Sequence, residues 1–524
     1  MILVIMLPGT SKVYFKKLNK ALKTKKAVPM SVIKTDSFTS RWGLLLSVLG
    51  IAIGTGNIWR FPRIVANNGG DEGAGAFLIA WLTFLLLWSI PLIIAEYAIG
   101  RNGRKGIIGS FIKTAGEKFA WMGGFVGFVA TAIMFYYSVV TGWCLYYFGV
   151  SVFYGLPADN TEAFAVWDTF QSGGLPVIFH ALAIGLAAFV VLNGIRTIER
   201  VNKILIPLLL VILLISFFRA ITLPGSADGV RYLFTPDWST LGNPALWLEA
   251  LTQNAWDTGA GWGLILTYAA YMKSRDNVTI SAIQTGIGNN TISLLAAVII
   301  FATVFGTLGS SMSDTEVLDI MKTSGPASTG LTFIWLPQLF NEIPGGRIYA
   351  VLFFMGLSFA AFSSLISMVE LSSKVFVDMG VTRRKAAMSI CAAGFVLGLP
   401  SAMNLNFFAN QDFVWGLGLM LSGAIIAFVV IRYNAGTFVR NLVYSERQPS
   451  DTGIAAIVVA LKYLIPIQVV VLLSWWIFRS VTEFAPDTWY NPFDSYSIAT
   501  VVSQWIVAAL ILFVLNTWLV KRHE

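Results

Sequence analysis

From about Trp42 to Leu519 the chain alternates apolar runs of roughly 20 residues with short polar joints, and a run of that length spans about 30 Å of hydrocarbon as a helix. About twelve such runs can be counted, centred near Gly54, Leu86, Phe135, Ile184, Leu210, Gly259, Leu295, Ser363, Ala393, Leu419, Val469 and Leu510. A transmembrane β-barrel would need short segments of alternating polarity, and these are absent. The pattern predicts an all-α membrane protein.

Two of the runs are interrupted. The first reads IAIGTGNIWRFP over residues 51–62, with Gly-Thr-Gly-Asn at mid-depth and then Arg60 and Pro62. Backbone groups inside lipid must be satisfied within the segment, so irregular backbone at that depth survives where it lines a cavity enclosed by protein. Gly54 and Gly56 can leave the helical conformation at low cost. Taken alone, the segment is equally compatible with a glycine-rich helix-packing face. The sixth run, NAWDTGAGWGLILTY from Asn254 to Tyr268, again places glycines, a carboxylate and a hydroxyl at mid-span. Breaks at the openings of two five-helix halves point to a transporter built from inverted repeats, with substrate and ions held at the breaks. Half-helix N-termini there attract carboxylates, and freed carbonyls attract cations.

Composition agrees with a lipid environment: 56% of the 524 residues are hydrophobic and 12% charged, against about a quarter charged in soluble domains. The net charge of +9 is distributed as topology. Lys16, Lys17, Lys20, Lys23, Lys25 and Lys26 precede the first run, and Arg101, Arg104, Lys105, Lys113 and Lys118 follow the second. Every later even-numbered joint is also basic, through Arg196, Lys273, Arg383, Arg432 and finally Lys521 and Arg522, whereas the opposite joints hold Asp159, Glu162, Asp314 and Glu316. The positive-inside rule then places both termini in the cytoplasm of a multi-pass protein of the cell membrane. Nucleic acid is not an expected partner, because the basic residues are accounted for by orientation. The opening MILVIMLPGT is too short to span and is followed by Lys, which argues against a cleaved signal peptide; Met30 is a plausible alternative start. Cys144 and Cys391 fall inside apolar runs and carry no disulfide or metal signature. The expected organisation is a flexible basic tail over 1–40, a first repeat over 41–240, a second over 241–435, and two further helices with a short tail over 436–524.

The stretch GTGNIWRFP, with NNGG, GAGAFLIAW, IPLIIAEYAIGR, the Tyr136-Tyr137 pair, LTYAAYMKSRDN and the Ser363-Ser364 pair, resembles the neurotransmitter:sodium symporter family, in its bacterial, leucine transporter-like amino-acid branch. The resemblance covers most of a ten-helix core. It implies two sodium sites. One would use the carbonyls of Gly50, Ile53 and Ala360 and the hydroxyls of Ser363 and Ser364; by residue type alone, two serines on an apolar helix could equally bond back to their own backbone. The other would use the carbonyl of Ala52, the side chains of Asn57 and Asn289, and the residue at Asp257. Amides around Thr55 and Gly56, with the Tyr137 hydroxyl, would hold a substrate carboxylate, with Ala52 and Ser364 close by. Ile133, Trp256, Gly259, Trp262 and Met368 would wall the side-chain pocket.

The resemblance also implies that relatives carrying amines have an Asp where this chain has Gly54, so the substrate here brings its own carboxylate. Two indoles, a thioether and the volume left by Gly259 suit a neutral apolar or aromatic amino acid. Arg60 and Asp412 would close an outer vestibule over Trp256. Asp378 and Phe38 would form an inner gate, whose usual Arg is Thr35 here, leaving Lys34 or Arg41 as substitutes. Glu96 is expected to hydrogen-bond the broken first helix. At Asp257 the family has Thr or Ser, and Trp81 replaces a Tyr that helps hold chloride in chloride-dependent relatives, beside Ser293. Asp257 would then be a built-in substitute for chloride, ionised beside sodium or carrying a proton without it.

The expected function is secondary active, sodium-coupled amino-acid symport, chloride-independent, with no organic cofactor. The alternatives are proton coupling through Asp257 and a different solute, such as an amine or a small aromatic. An enzyme would need a nucleophile with a base or a metal cluster, and the two histidines, His180 and His523, have no plausible partner in sequence. A phosphate-binding loop for ATP is absent, and a channel would need a continuous polar pore.

Overall fold

The computed structural model describes residues 37–309, 311–322, 330–444 and 450–523. Lys34 and Thr35, with the rest of the expected tail up to residue 36, lie outside these. Among the described residues nine helices are long and apolar enough to cross a membrane: Gly75–Gly103, Glu117–Phe153, Leu175–Leu192, Ile195–Ala220, Val278–Leu308, Gly346–Asp378, Arg383–Met403, Leu405–Tyr433 and Asp451–Phe484. Two bent pairs extend the count to eleven: Arg41–Ala52 with Thr55–Asn67, at 49°, and Ile498–Val514 with Asn516–His523, at 56°. The sixth apolar run supplies the remaining crossing in two pieces, Pro244–Asp257 and Leu264–Ala269. In chain order, these are α1 (Arg41–Ala52), α2 (Thr55–Asn67), α3 (Gly75–Gly103), α4 (Glu117–Phe153), α5 (Leu175–Leu192), α6 (Ile195–Ala220), α7 (Pro244–Asp257), α8 (Leu264–Ala269), α9 (Val278–Leu308), α10 (Gly346–Asp378), α11 (Arg383–Met403), α12 (Leu405–Tyr433), α13 (Asp451–Phe484), α14 (Ile498–Val514) and α15 (Asn516–His523).

Burial sorts these helices into a centre and a rim. The most apolar windows of α4, α9, α10 and α12 are 72–78% buried, whereas those of α5, α6 and α13 are 28–39% buried. The rim helices present large side chains such as Phe189, Ile204, Phe218 and Val470 outward. Such a surface suits lipid, which does not penalise exposed hydrocarbon as water does.

Both interruptions fall at the glycines. At the first, Ile53 and Gly54 adopt extended backbone between α1 and α2. Gly54 N–H turns to the side chain of Asn57 at 2.8 Å, and Thr55 N–H to the Tyr137 hydroxyl at 3.2 Å. In an uninterrupted helix those two amides would serve the carbonyls of Gly50 and Ile51, which are thereby freed. At the second, Gly259, Gly261 and Gly263 take φ of +71°, +89° and +75°, a region that residues with a Cβ rarely enter. The chain there changes direction between α7 and α8 without any proline.

Residues 37–40, expected to belong to the flexible tail, are held to the bundle. Ser40 caps α1 by accepting from Gly43 N–H at 3.0 Å. Thr39 bonds through its amide and hydroxyl to Glu199 on α6, and Phe38 is buried.

Candidate substrate and ion site

One cavity of about 1100 Å³ is bordered by residues of both breaks and by Glu249, Asp412 and Glu483. It is lined by Ala52, Thr55, Gly56, Ile133, Tyr137, Trp256, Gly259, Trp262, Ser364 and Met368, so the structure brings all the expected substrate residues to one space. Tyr137 Oη stands over the N-terminus of α2, 3.2 Å from Thr55 N and 3.4 Å from Thr55 Oγ1. A Cβ added at Gly56 would meet nothing within 4 Å, so this backbone borders open space. Amides at the start of a helix, beside a hydroxyl and facing a cavity, form a site for a carboxylate.

Two clusters of uncharged oxygens flank that space. In the first, Ser364 Oγ lies 3.2, 3.3 and 3.5 Å from the carbonyls of Gly50, Ile51 and Ile53, and Ser363 Oγ donates to Ala360 O at 3.0 Å. A hydroxyl has one proton, so Ser364 satisfies one of its three carbonyls at a time and the rest is surplus acceptor capacity. Ile51 was not among the residues expected here. In the second cluster, Asn57 Nδ2 donates to Asn289 Oδ1 at 2.8 Å and to Ser293 Oγ at 2.7 Å. The same terminus of Asn289 is 3.0 Å from the carbonyls of Ala52 and Asp257. Turned one way, the amide sets its oxygen against two carbonyl oxygens; turned the other, it sets its NH₂ against that of Asn57. A cation among those oxygens removes the conflict, so the residues present fit sodium at both places.

The Asp257 side chain, at the end of α7, is buried. Gln253 Nε2 donates to Oδ2 at 3.3 Å, and Oδ1 has no hydrogen-bond partner. Trp81, expected beside it, packs its ring on Phe61 at 4.4 Å, and its backbone carbonyl accepts from Asn254.

One expectation about a charged group is corrected. Glu96 bonds the second break and not the first: its carboxylate accepts from Gly261 N–H at 2.6 Å and Leu266 N–H at 3.0 Å. It thereby satisfies amides that the unwound glycines expose in a dry interior, where an unmet donor is costly. Glu96→Ala is therefore expected to lower stability by about 3 kcal/mol, the scale of two lost charge-assisted bonds, while Glu96→Gln keeps an acceptor and loses less. Melting temperatures of the purified variants check this; equal values for Ala and wild type would contradict it. At the basic end, Asp378 pairs with Lys374, one turn earlier on its own helix, and accepts from Gly106 N–H. Arg41, a suggested partner, instead donates to Gln284 at 3.4 Å. Phe38 is buried there, with its ring edge-on to Tyr268 and Tyr271.

Arg60 and Asp412 both line the cavity, yet no ion pair within 4.0 Å joins them. The Arg60 guanidinium lies over the Trp256 ring, 4.6 Å from its centroid. Both side chains are partly buried in the cavity wall. The nearby ion pairs are Arg479 of α13 with Glu249 of α7 at 2.6 Å and with Glu483 at 2.8 Å. These were missed in the sequence, as was the buried Glu370, which holds Tyr271 and Arg383. A carboxylate inside an apolar run was the available signal for Glu370; for Arg479 only a cation near a helix end was visible.

Comparisons with known proteins bear on the family and the fold. The family profile described as "Sodium:neurotransmitter symporter family" matches residues 35–172 and 175–523. An uncharacterized sodium-dependent transporter of Methanocaldococcus jannaschii is 35% identical over 382 residues, covering 70% of this chain and 75% of that protein. The sodium-dependent neutral amino acid transporter B(0)AT2 of Rattus norvegicus is 25% identical, covering 69% and 62%. Among solved structures, MhsT in complex with L-phenylalanine superposes with a TM-score of 0.73 at 28% identity, covering 84% of this chain and 99% of that one.

Proposed function

We propose, from the premise that this chain belongs to the sodium:neurotransmitter symporter family, that its cargo is a neutral apolar or aromatic amino acid carried with sodium and without a need for chloride. Sodium-dependent symport and the multi-pass membrane fold are properties of the family to which the chain belongs. The substrate class rests on one observation above the others: the cavity joins an uncharged amide-and-hydroxyl cradle at Thr55, Gly56 and Tyr137 to apolar walls at Trp256, Trp262 and Met368, with no carboxylate at Gly54. An amine would meet hydrogen-bond donors at that cradle; an amino acid supplies a carboxylate that accepts from those donors. MhsT, of similar fold, was crystallised with L-phenylalanine, which supports the same class.

In this reading sodium is held at two places. Gly50, Ile53, Ala360, Ser363 and Ser364 hold one ion; Ala52, Asn57, Asn289 and Asp257 hold the other, adjoining the substrate. Asp257 supplies the fixed negative charge that chloride would otherwise supply. The bundle of broken helices α1–α2 and α7–α8, with α3 and α9, rocks against the remaining helices of the two repeats, 41–240 and 241–435. Arg60 and Asp412 approach as the acidic end closes, and Asp378 and Phe38 release the basic end. The basic end faces the cytoplasm of the cell membrane, with both termini on that side.

The test is uptake into proteoliposomes of a mixed amino-acid panel with amines included, under imposed Na⁺ or H⁺ gradients and with chloride present or replaced by gluconate. Sodium-driven accumulation of apolar or aromatic amino acids, indifferent to chloride, is the expected result. Accumulation of an amine in preference to any amino acid contradicts the substrate class. Because Asp257 Oδ1 lacks a partner, proton coupling is the second reading, and uptake driven by H⁺ without Na⁺ would favour it.

A further inference from the structure

Asn202, on α6, is fully buried, and neither its Oδ1 nor its Nδ2 has a hydrogen-bond partner. An amide left unmet in a dry interior is costly, and an aliphatic side chain of similar size would avoid that cost. Its position suggests what it is for. A Cβ built on Gly50 would lie 3.3 Å from Asn202 Oδ1 and 3.2 Å from Ser363 Cβ. The absence of a side chain at Gly50 therefore leaves room in which the amide faces the oxygen cluster of α1 and α10. Glu199, one turn earlier on α6, is engaged by Thr39 and Lys203 and does not reach for this amide. The carbonyl of Gly50 itself belongs to the group gathered at Ser364 Oγ.

We infer that Asn202 is an additional oxygen donor to the ion held at Gly50, Ser363 and Ser364, contributed by a helix that the sequence reading had not connected to any ion. The inference rests on that cluster being a sodium site. A neutral amide oxygen is the same class of hard donor as the carbonyls and hydroxyls around it, and it adds no charge that would slow release. It also ties α6, on the rim, to α1, which carries the break. Ion binding satisfies an atom that is otherwise orphaned.

The experiment uses the purified full-length protein in detergent, with ²²Na⁺ binding by scintillation proximity and the melting temperature with and without sodium. Asn202→Leu is expected to raise the half-saturating sodium concentration by about 3- to 10-fold, the effect of losing one oxygen ligand. Its melting temperature without sodium should equal or exceed that of the wild type, since an orphaned amide is removed, while the rise on adding sodium shrinks. Asn202→Asp keeps an oxygen and adds charge, so it should bind sodium at least as tightly as the wild type. The Ser363→Ala, Ser364→Ala double variant separates the two levels. If it weakens sodium binding and Asn202→Leu does not, this inference is overturned and the sodium site stands. If the double variant binds sodium normally, the site itself is misassigned and the inference fails with it. A marked loss of sodium-free stability in Asn202→Leu, with unchanged sodium affinity, would make the residue structural.

Discussion

Gly54→Asp is expected to reduce amino-acid uptake by on the order of 100-fold or more, equivalent to about 2.7 kcal/mol of lost binding. Two effects act together. A Cβ at this position would stand 3.1 Å from Tyr137 Oη and 3.4 Å from Ser364 Oγ, so even a methyl group is a tight fit beside both. A carboxylate beyond it would reach the donors at the N-terminus of α2 and occupy the place proposed for the substrate's own carboxylate. Gly54→Ala separates size from charge: it should cost far less than Asp, because only the crowding remains. Binding of labelled substrate to the purified variants, alongside vesicle uptake, reads both terms. If Asp binds the amino acid with wild-type affinity, the substrate carboxylate is held elsewhere in the cavity.

Asp257→Asn should weaken sodium-coupled uptake by about tenfold or more and flatten its dependence on pH. The side chain is buried, one oxygen has no partner, and its own carbonyl lies 3.0 Å from the Asn289 terminus within the second oxygen cluster. A buried carboxylate without a cation must find a proton or remain uncompensated at a cost of several kcal/mol, so its charge is retained where an ion repeatedly returns. Asp257→Ser removes the charge and leaves a hydroxyl beside Ser293, and it is expected to recover part of the activity only when chloride is supplied. Uptake measured against sodium concentration in chloride and in gluconate decides the matter. A wild-type protein that requires chloride, or an Asn variant with unchanged sodium and pH dependence, would contradict the assignment.

Two contrasts show what was legible before the fold was known. The breaks at Gly54–Gly56 and Gly259–Gly263 were readable because glycine-rich polar interruptions recur at corresponding mid-span positions of two halves, where irregular backbone survives only around an enclosed cavity. Glu96 was readable as a buried structural carboxylate, but its partner was assigned to the wrong break. The amides it serves belong to Gly261 and Leu266, 165 and 170 residues away. For Asp378, the tail cations suggested by the resemblance include Lys34, outside the described residues, while Lys374, four residues back on the same helix face, pairs with it.

The missing acid at Gly54 was implied by the resemblance; by itself, the sequence determined the spans, their breaks and the asymmetry of charge between the two ends. Each is a one-dimensional signal, because lipid acts on every segment separately according to length, polarity and charge. Only the tertiary structure decided the pairings: Glu96 with the unwound glycines, Arg479 with Glu249, and Asn202 beside Gly50. It also decided that Arg60 lies over Trp256 without an ion pair to Asp412. Which polar groups meet depends on how each helix is rotated and how deeply it sits against its neighbours. A turn of α6 that faced Asn202 toward lipid would leave the apolar pattern nearly unchanged while taking the amide away from Gly50.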